Sequence, residues 1–272
     1  MKDFRNKVVV ITGAGSGMGR SYALAFAREG AHLALNDYNR AALDETCALL
    51  KPFASTRVEA HAFDVSDRDT MFAFAAQVKA KLGPASVVIN NAGIEGAFAP
   101  TWKTDITDFE RVMNINFYGV LHGTHAFLPQ LLAQREGALV NVSSIFGLVG
   151  SPNGSDYCAS KFAVRGLTEA LMAELSGKHV SVHLVHPGGI ATGIAKDASS
   201  QAFAQRFLKS SPDMVADKVI DGIRKRKARI VCGKDSLKTW MGANLVPQGL
   251  LSRMIWREVG ATVDLKAYHP YR

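Results

Sequence analysis

The first 190 residues alternate between short, almost wholly apolar runs rich in β-branched side chains and longer stretches in which apolar residues return every three or four positions. Residues 8–12, Val-Val-Val-Ile-Thr, predict a strand buried on both faces, because the run is short for a helix and shows no polar alternation. A glycine-rich turn and a helix over 18–29 follow, closed by Gly30, the residue type that most easily takes the left-handed conformation at a helix end. The rhythm continues with strands over 32–36, 58–63, 86–90, 138–142 and 181–186. Helices are expected over 39–50, 67–82, 108–118 and on to 135, and 157–175. Strands joined by helical crossovers must pair in parallel, so the pattern predicts an α/β protein with a Rossmann-type, doubly wound parallel sheet. No linker or internal repeat divides this stretch. Residues 1–200 are expected to form one domain, with 201–272 a less regular C-terminal extension of it serving as lid or interface.

Composition narrows the class. A chain of 272 residues, 47% hydrophobic, can bury roughly 70–75% of its unfolded surface and needs no covalent or metal staple. Cys47, Cys158 and Cys232 are odd in number and far apart, with no C-x-x-C, which argues against a disulfide framework or a thiolate zinc site. A reducing, cytoplasmic setting is expected, the more so because residues 8–11 are too short for a secretory signal and no apolar run reaches about 18 residues. The formal charge of +8 is local: residues 1–200 hold 18 basic and 18 acidic side chains, and residues 201–272 hold 14 and 6. No zinc-finger spacing or RNA-binding signature accompanies it, so no nucleic-acid partner is expected.

Two features carry chemistry. Thr12-Gly13-Ala14-Gly15-Ser16-Gly17-Met18-Gly19 lies between a strand and a helix with the spacing G-x-x-x-G-x-G rather than G-x-G-x-x-G. Glycines there allow close backbone approach to a pyrophosphate, whose charge meets the N–H groups and dipole of the helix N-terminus. Asp37, 18 residues after Gly19, ends the next strand, where a carboxylate accepts hydrogen bonds from an adenosine ribose and repels a 2′-phosphate, favouring NAD over NADP. It also reads as a solvated turn aspartate, and Arg20 and Arg40 are near enough in sequence to meet a phosphate. The second feature is Tyr157 and Lys161, four apart on a helix and so on one face. A phenol titrating at about 10 is a poor base near neutrality, and an adjacent ammonium, helped by an oxidised nicotinamide, is the kind of neighbour that lowers it. By itself the spacing equally suits a packed aromatic beside a surface lysine.

With Ser144 thirteen residues upstream of Tyr157, and with Asn116, the sequence resembles the short-chain dehydrogenase/reductase family over about residues 6–195. The matching segments are the glycine turn, Asp64-Val65, Asn90-Asn-Ala-Gly93, Asn116 in Asn-Ile-Asn-Phe-Tyr-Gly, Ser143-Ser144, Tyr157-Cys-Ala-Ser-Lys161 and Pro187-Gly-Gly-Ile-Ala-Thr192. The resemblance implies nicotinamide-dependent hydride transfer. It makes Tyr157 the general acid/base, Lys161 the ligand of the nicotinamide ribose and modulator of the tyrosine, Ser144 the hydrogen-bond partner of the substrate oxygen, and Asn116, or less well Asn114, the holder of a relay water. The cofactor contacts it implies are Gly13, Ser16, Gly17, Met18 and Gly19 at the pyrophosphate, Asp37 at the ribose and Asp64 and Val65 at the adenine. Asn91, Ala92 and Gly93 flank the cofactor, and Pro187, Gly188, Ile190 and Thr192 lie near the carboxamide. It also implies a homo-oligomer, a dimer or tetramer.

Ile94, Phe98, Trp102, Ile145, Phe146, Leu148, Val149, Pro152, Ile190, Ile194 and Phe203 fall in the loops that build the family's substrate pocket. Their apolar character favours a hydrophobic secondary alcohol or ketone, such as a hydroxysteroid, aryl or medium-chain alcohol. The alternatives are a 3-oxoacyl thioester reductase and a non-catalytic nucleotide sensor on the same fold. His122 and His125 read as packing or interface residues and no metal is expected. His186 reads as a strand-end residue near the substrate mouth, Cys158 as a small packing residue turned away from Tyr157, and Asp105 and Asp108 as helix-entry carboxylates. The run Arg224-Lys-Arg-Lys227 reads as a solvated helix end, and the apolar residues from Trp240 to Trp256 as a lid, a subunit contact or, less favoured, a membrane-surface segment.

Overall fold

In the computed structural model, which describes residues 1–194 and 198–268, seven strands form one parallel sheet: β1 (Val8–Thr12), β2 (His32–Asp37), β3 (Val58–Ala62), β4 (Ala85–Asn90), β5 (Gly137–Val142), β6 (Val180–Pro187) and β7 (Arg229–Cys232). Their order is β3-β2-β1-β4-β5-β6-β7. Chain direction across the sheet therefore reverses between β1 and β4, the switch point at whose carboxyl end a ligand crevice opens. The helices are α1 (Gly17–Arg28), α2 (Arg40–Leu50), α3 (Arg68–Lys81), α4 (Ile106–Met113), α5 (Gly119–Leu132), α6 (Ser155–Glu174), α7 (Ala198–Phe207), α8 (Pro212–Arg224), α9 (Ser236–Leu245) and α10 (Gln248–Val259).

Strand alternation sorts the core into two layers. Val9, Ile11, Leu33, Leu35 and Ile89 point to a layer that includes Tyr22 and Phe26 of α1 and Val215, Val219 and Ile223 of α8. Val8, Val10, Ala34 and Val88 point to the other, against Met71, Phe74 and Val78 of α3, Phe127 and Leu131 of α5 and Leu171 of α6. Both faces of β1, β4, β5 and β6 are thus dry; β1, β4 and β5 accordingly carry no polar alternation, while the alternating Ser181 and His183 of β6 are buried and hydrogen-bonded to each other. Helix entries are set locally: Asn39, Asp67 and Asp105 each accept a hydrogen bond from a backbone N–H in the first turn of α2, α3 and α4. Asp108 lies in the first turn of α4 and pairs with Arg111.

Two features depart from the sequence pattern. The helix expected over 108–118 ends at Met113 and continues as a π-helical turn, Asn114–Tyr118, into α5. The cause is tertiary: Asn116 in that turn reaches across to Ile94 and to Ser160 of α6. In addition, much of the segment after residue 200 is built into the sheet. β7 extends it beyond β6, from Leu184↔Arg229 to Pro187↔Cys232, and α8 packs on α1. A strand of four residues that begins with arginine gives no periodic signal.

Candidate active site

The crevice at the carboxyl ends of β1 and β4 brings together the glycine turn, Asn91–Gly93 and Thr192. Gly17 sits at φ +49, and a Cβ there would stand 3.1 Å from Thr192 Cγ2, so residue 17 must be small and able to take the left-handed conformation. A Cβ on Gly13 would meet Ala92 Cα at 2.9 Å, and one on Gly19 would strike the Gly13 carbonyl, which packs the turn against β4 and the start of α1. Asn91 and Ala92 hold this edge: both backbone N–H groups donate to Thr12 Oγ1, at 3.0 and 3.1 Å, and Asn91 Nδ2 donates to the Thr12 carbonyl at 2.9 Å. Ser16, the residue preceding α1, makes no side-chain cap hydrogen bond, which leaves the helix N-terminus available to an anion. Met18 packs partly against the core and partly lines the cavity described below.

Asp37 Oδ2 accepts from Gly15 N and Oδ1 from Asn39 N, both at 2.8 Å. Each oxygen keeps a lone pair for a ribose hydroxyl, and the carboxylate is positioned rather than merely solvated. Of the two arginines, Arg20 is committed elsewhere, and Arg40 is exposed and bonded only through Nε. Arg20 is bound to Thr46, Glu45 and the Gly15 and Ala42 carbonyls, and Arg40 pairs with Asp44. Asp64 and Val65 follow β3 on the same sheet edge. Asp64 Oδ1 accepts from Ser66, and Val65 is buried so close to Gly119 that a Cβ there would meet it at 2.6 Å. A glycine turn with an uncapped helix start, a carboxylate one strand away and apolar contacts beyond it fit a dinucleotide.

Ser144, Tyr157 and Lys161 converge past β5. The Ser144 side chain is near enough to the Tyr157 hydroxyl to favour its ionised form, and Ser144 Oγ accepts from Phe146 N at 3.1 Å. Lys161 is 3% exposed and donates to the Val142 carbonyl at 3.2 Å. Its ammonium lies 5.6 Å from the centre of the Tyr157 ring. Burial pulls Lys161 down to about 8 and pushes Tyr157 up to about 12, the nearby Ser144 side chain opposing the latter. In the chain alone, then, the neighbouring ammonium does not lower the phenol, because desolvation outweighs a charge that makes no direct hydrogen bond to it.

Asn116 is fully buried. Its Oδ1 accepts from Ile94 N at 2.8 Å, and its Nδ2 donates to the Ile94 carbonyl and to Ser160 Oγ. Both amide protons are spent on that cross-link, so the side chain ties the loop after β4 to α6. Asn114 accepts the Gly119 N–H through its carbonyl.

Between Tyr157 and the later helices lies a cavity of about 290 Å³. Of the residues expected there, Phe98, Ile145, Phe146, Val149, Ile190, Ile194 and Phe203 line it, as do Pro187, Gly188 and Thr192. Leu148 instead packs beneath it with Leu251, and Trp102 stacks edge-on to Tyr268. Ile94 and Pro152 are not among the lining residues. An aromatic wall runs Phe98, Phe203, Phe146, Tyr157 with ring centres 5.9, 5.9 and 6.4 Å apart. Cys158 corrects the reading of it as a residue turned away: it lines the same cavity, its thiol accepting from Ser151 N at 3.3 Å. His186 does not reach the cavity. It is fully buried beneath Ser144, with Nδ1 2.7 Å from the Ser144 carbonyl, which makes that nitrogen the donor. His122 Nδ1 lies 3.2 Å from the Val65 carbonyl, and among the described residues no three His, Cys, Asp or Glu side chains come together as metal ligands.

One further part of the site agrees with the lid reading of the segment from Trp240 to Trp256, and another, outside the cavity lining, was not legible in sequence. Leu251, Met254, Ile255 and Val259 of α10 complete the apolar wall. Asp156, next to Tyr157 and 1% exposed, accepts from Ala97 N and from Tyr157 N, both at 2.7 Å. It pins the loop that carries Glu95 and Phe98 to the start of α6, and Phe98 sits at φ +50 in that pinned loop.

A doubly wound sheet with a dinucleotide crevice beside a serine, a tyrosine and a lysine defines an oxidoreductase of nicotinamide type. A family model described as short chain dehydrogenase matches residues 7–202, and the chain belongs to that family. It is 42% identical over 248 residues to SadH of Mycobacterium tuberculosis, covering 87% of this chain and 89% of that protein. It is 38% identical over 226 residues to epidermal retinol dehydrogenase 2 of Mus musculus, covering 82% and 72%. The crystal structure of a short-chain dehydrogenase/reductase from Burkholderia phymatum in complex with NAD superposes with a TM-score of 0.81 at 28% identity, covering 97% of this chain and 98% of that one.

Proposed function

We propose that this protein transfers hydride between NAD and a hydrophobic secondary alcohol or its ketone. The observation that carries the reading is that Ser144 and Tyr157 line an apolar, aromatic cavity together, with Lys161 buried beside the Tyr157 ring. The bound nicotinamide supplies the hydride acceptor or donor. In oxidation Ser144 and Tyr157 hold the substrate hydroxyl, and Tyr157 Oη takes its proton as the carbinol C–H bond gives up hydride. In reduction Tyr157 returns the proton to the carbonyl oxygen. The phenol, at about 12 in the chain alone, needs positive charge to act near neutrality. Lys161 and the positive charge of an oxidised nicotinamide would supply it together, and Lys161 would hold the nicotinamide ribose. Asp37 selects NAD by accepting from the adenosine ribose and repelling a 2′-phosphate. Retinol, the alcohol in the name of the mouse relative, is a primary alcohol and so lies outside the secondary alcohols proposed here, but it shares the apolar character that the cavity walls favour.

The test is a panel of apolar secondary alcohols and ketones with NAD and NADP, followed by absorbance of the reduced cofactor, on wild type and Tyr157→Phe. Loss of the acid/base group is expected to lower turnover by roughly 10²–10⁴-fold with cofactor binding retained. Turnover of Tyr157→Phe at the wild-type rate would sink the reading. Cofactor binding without turnover across the panel would favour the nucleotide sensor.

A further inference from the structure

Helices α9 and α10 stand between the cavity and solvent: α10 lines the cavity with aliphatic side chains, and both helices expose leucine and methionine. On α10, Leu251, Ile255 and Val259 line the cavity, while Leu250, Arg253, Met254 and Arg257, at i, i+3, i+4 and i+7, share the opposite, exposed face. On α9, Leu237, Lys238, Met241 and Leu245 form a second exposed face. Leu245 is 78% exposed, Leu237 60% and Leu250 54%, values unusual for leucines that share a surface with one another. Lys238 and Met254 belong at once to this surface and to the cavity rim, so the two faces meet at the mouth.

The charge on this surface differs from that of the basic run before β7. There Arg224 pairs with Glu29, Lys225 and Lys227 with Asp221, and Arg229 with Glu169, while Arg226 reaches the carbonyls of residues 178 and 179. Lys238, Arg253 and Arg257, in contrast, have no acidic partner among the described residues. Leucine and methionine interleaved with unpaired cations, around the opening of an apolar cavity, complement an anionic lipid surface: the leucines enter the acyl boundary and the cations meet phosphate. A second copy of the chain complements it poorly, because a two-fold contact of this face with itself sets the same cations against one another as it buries them.

We propose that the exposed faces of α9 and α10 dock this protein onto the surface of an anionic phospholipid bilayer, with the cavity mouth against the lipid, so that a lipophilic alcohol or ketone enters from the membrane. The docking surface is read from the faces themselves, and the substrate's route rests on the proposed function.

The experiment is co-sedimentation of the full chain with vesicles of phosphatidylglycerol and phosphatidylcholine in equal parts, and with phosphatidylcholine alone. It is run on wild type, Arg253→Glu/Arg257→Glu and Met241→Asp/Leu245→Asp, none of which alters a residue lining the cavity. Sedimentation velocity of each protein and turnover of a water-soluble short-chain substrate accompany it. Each cation facing the lipid strengthens partitioning roughly five-fold, so the double arginine reversal is expected to weaken binding at least roughly 25-fold, and the aspartate pair to weaken it as well. Turnover of the soluble substrate and the oligomeric state should stay as in wild type. Absence of wild-type binding to the anionic vesicles, equal binding by wild type and variants, or a change of oligomeric state in the variants would overturn the proposal, the last by making the face a contact between copies. Vesicle binding is measured without substrate and turnover without vesicles, so failure of the docking surface and failure of the dehydrogenase reading give different results.

Discussion

Replacing Gly96 by alanine drives a methyl group into Asp156 Oδ1 and leaves Cγ and Oδ2 at 2.6 Å, where ordinary non-bonded contact is about 3.5 Å. Either the carboxylate or the loop must retreat by about 1 Å. The carboxylate has nowhere wet to go, being 1% exposed, and it holds Ala97 N and Tyr157 N at 2.7 Å each. If it yields, the Ala97 bond is lost, a hydrogen bond to a charged acceptor of about 1.5–3 kcal/mol. If the loop yields, Glu95 and Phe98 move with it and the cavity wall beside Tyr157 is displaced by a distance that typically costs on the order of 10²-fold in rate. The assays are urea denaturation and kcat/KM on the best substrate of the panel. Gly96→Ala is expected to lose about 1.5–3 kcal/mol of stability, or a large part of kcat/KM, or some of each. The same substitution in an Asp156→Ala background should cost less by at least about 1 kcal/mol, since the obstructing oxygens are gone. Additive effects of the two substitutions, or a Gly96→Ala protein equal to wild type in both assays, would refute the idea that Asp156 and Gly96 lock the substrate loop.

Asp37→Ala removes the carboxylate that accepts from Gly15 N and Asn39 N, and should lower kcat/KM with NAD by about tenfold or more while raising it with NADP. An unchanged NAD-to-NADP ratio would show that Asp37 takes no part in the choice. Stability should fall on acidification through a window set by two buried histidines. Burial lowers His183 and His186 from 6.5 to about 4. The unfolded chain therefore binds protons below 6.5 that the folded chain refuses until about 4, so the stabilisation is complete above 6.5 and is lost as pH falls toward 4. Each histidine contributes up to about 3 kcal/mol, read from urea midpoints near neutrality and near the lower end of the window. His186→Asn should flatten roughly half of that dependence, and a pH profile identical to wild type would exclude His186 as a source.

The parallel sheet was legible in the sequence because it follows from near neighbours. Strands buried on both faces lose polar alternation, and crossovers long enough to hold a helix force parallel pairing. The turn from Thr12 to Gly19, Asp37 after β2 and the four-residue spacing of Tyr157 and Lys161 are likewise local, so their elements could be assigned before any contact was known. Contacts between residues far apart in the chain were not legible. The π turn at Asn116 exists because one amide bonds Ile94 and Ser160, 22 and 44 residues away. β7 exists because β6 offers an edge to four residues that would not form a strand alone. Cys158 lines the cavity, and Asp156 controls a loop 59 residues earlier, because packing rather than periodicity chose their neighbours. The balance of charge at Tyr157 was also decided in three dimensions: sequence places a lysine one helical turn away, but burial, which spacing does not report, decides which way the phenol titrates. Sequence by itself determined which chemistry the chain carries and on which elements, since those depend on residue type and short spacing. Tertiary structure alone decided which groups meet, how dry they are and which face is left for a partner, since those depend on desolvation and on contacts across the whole chain.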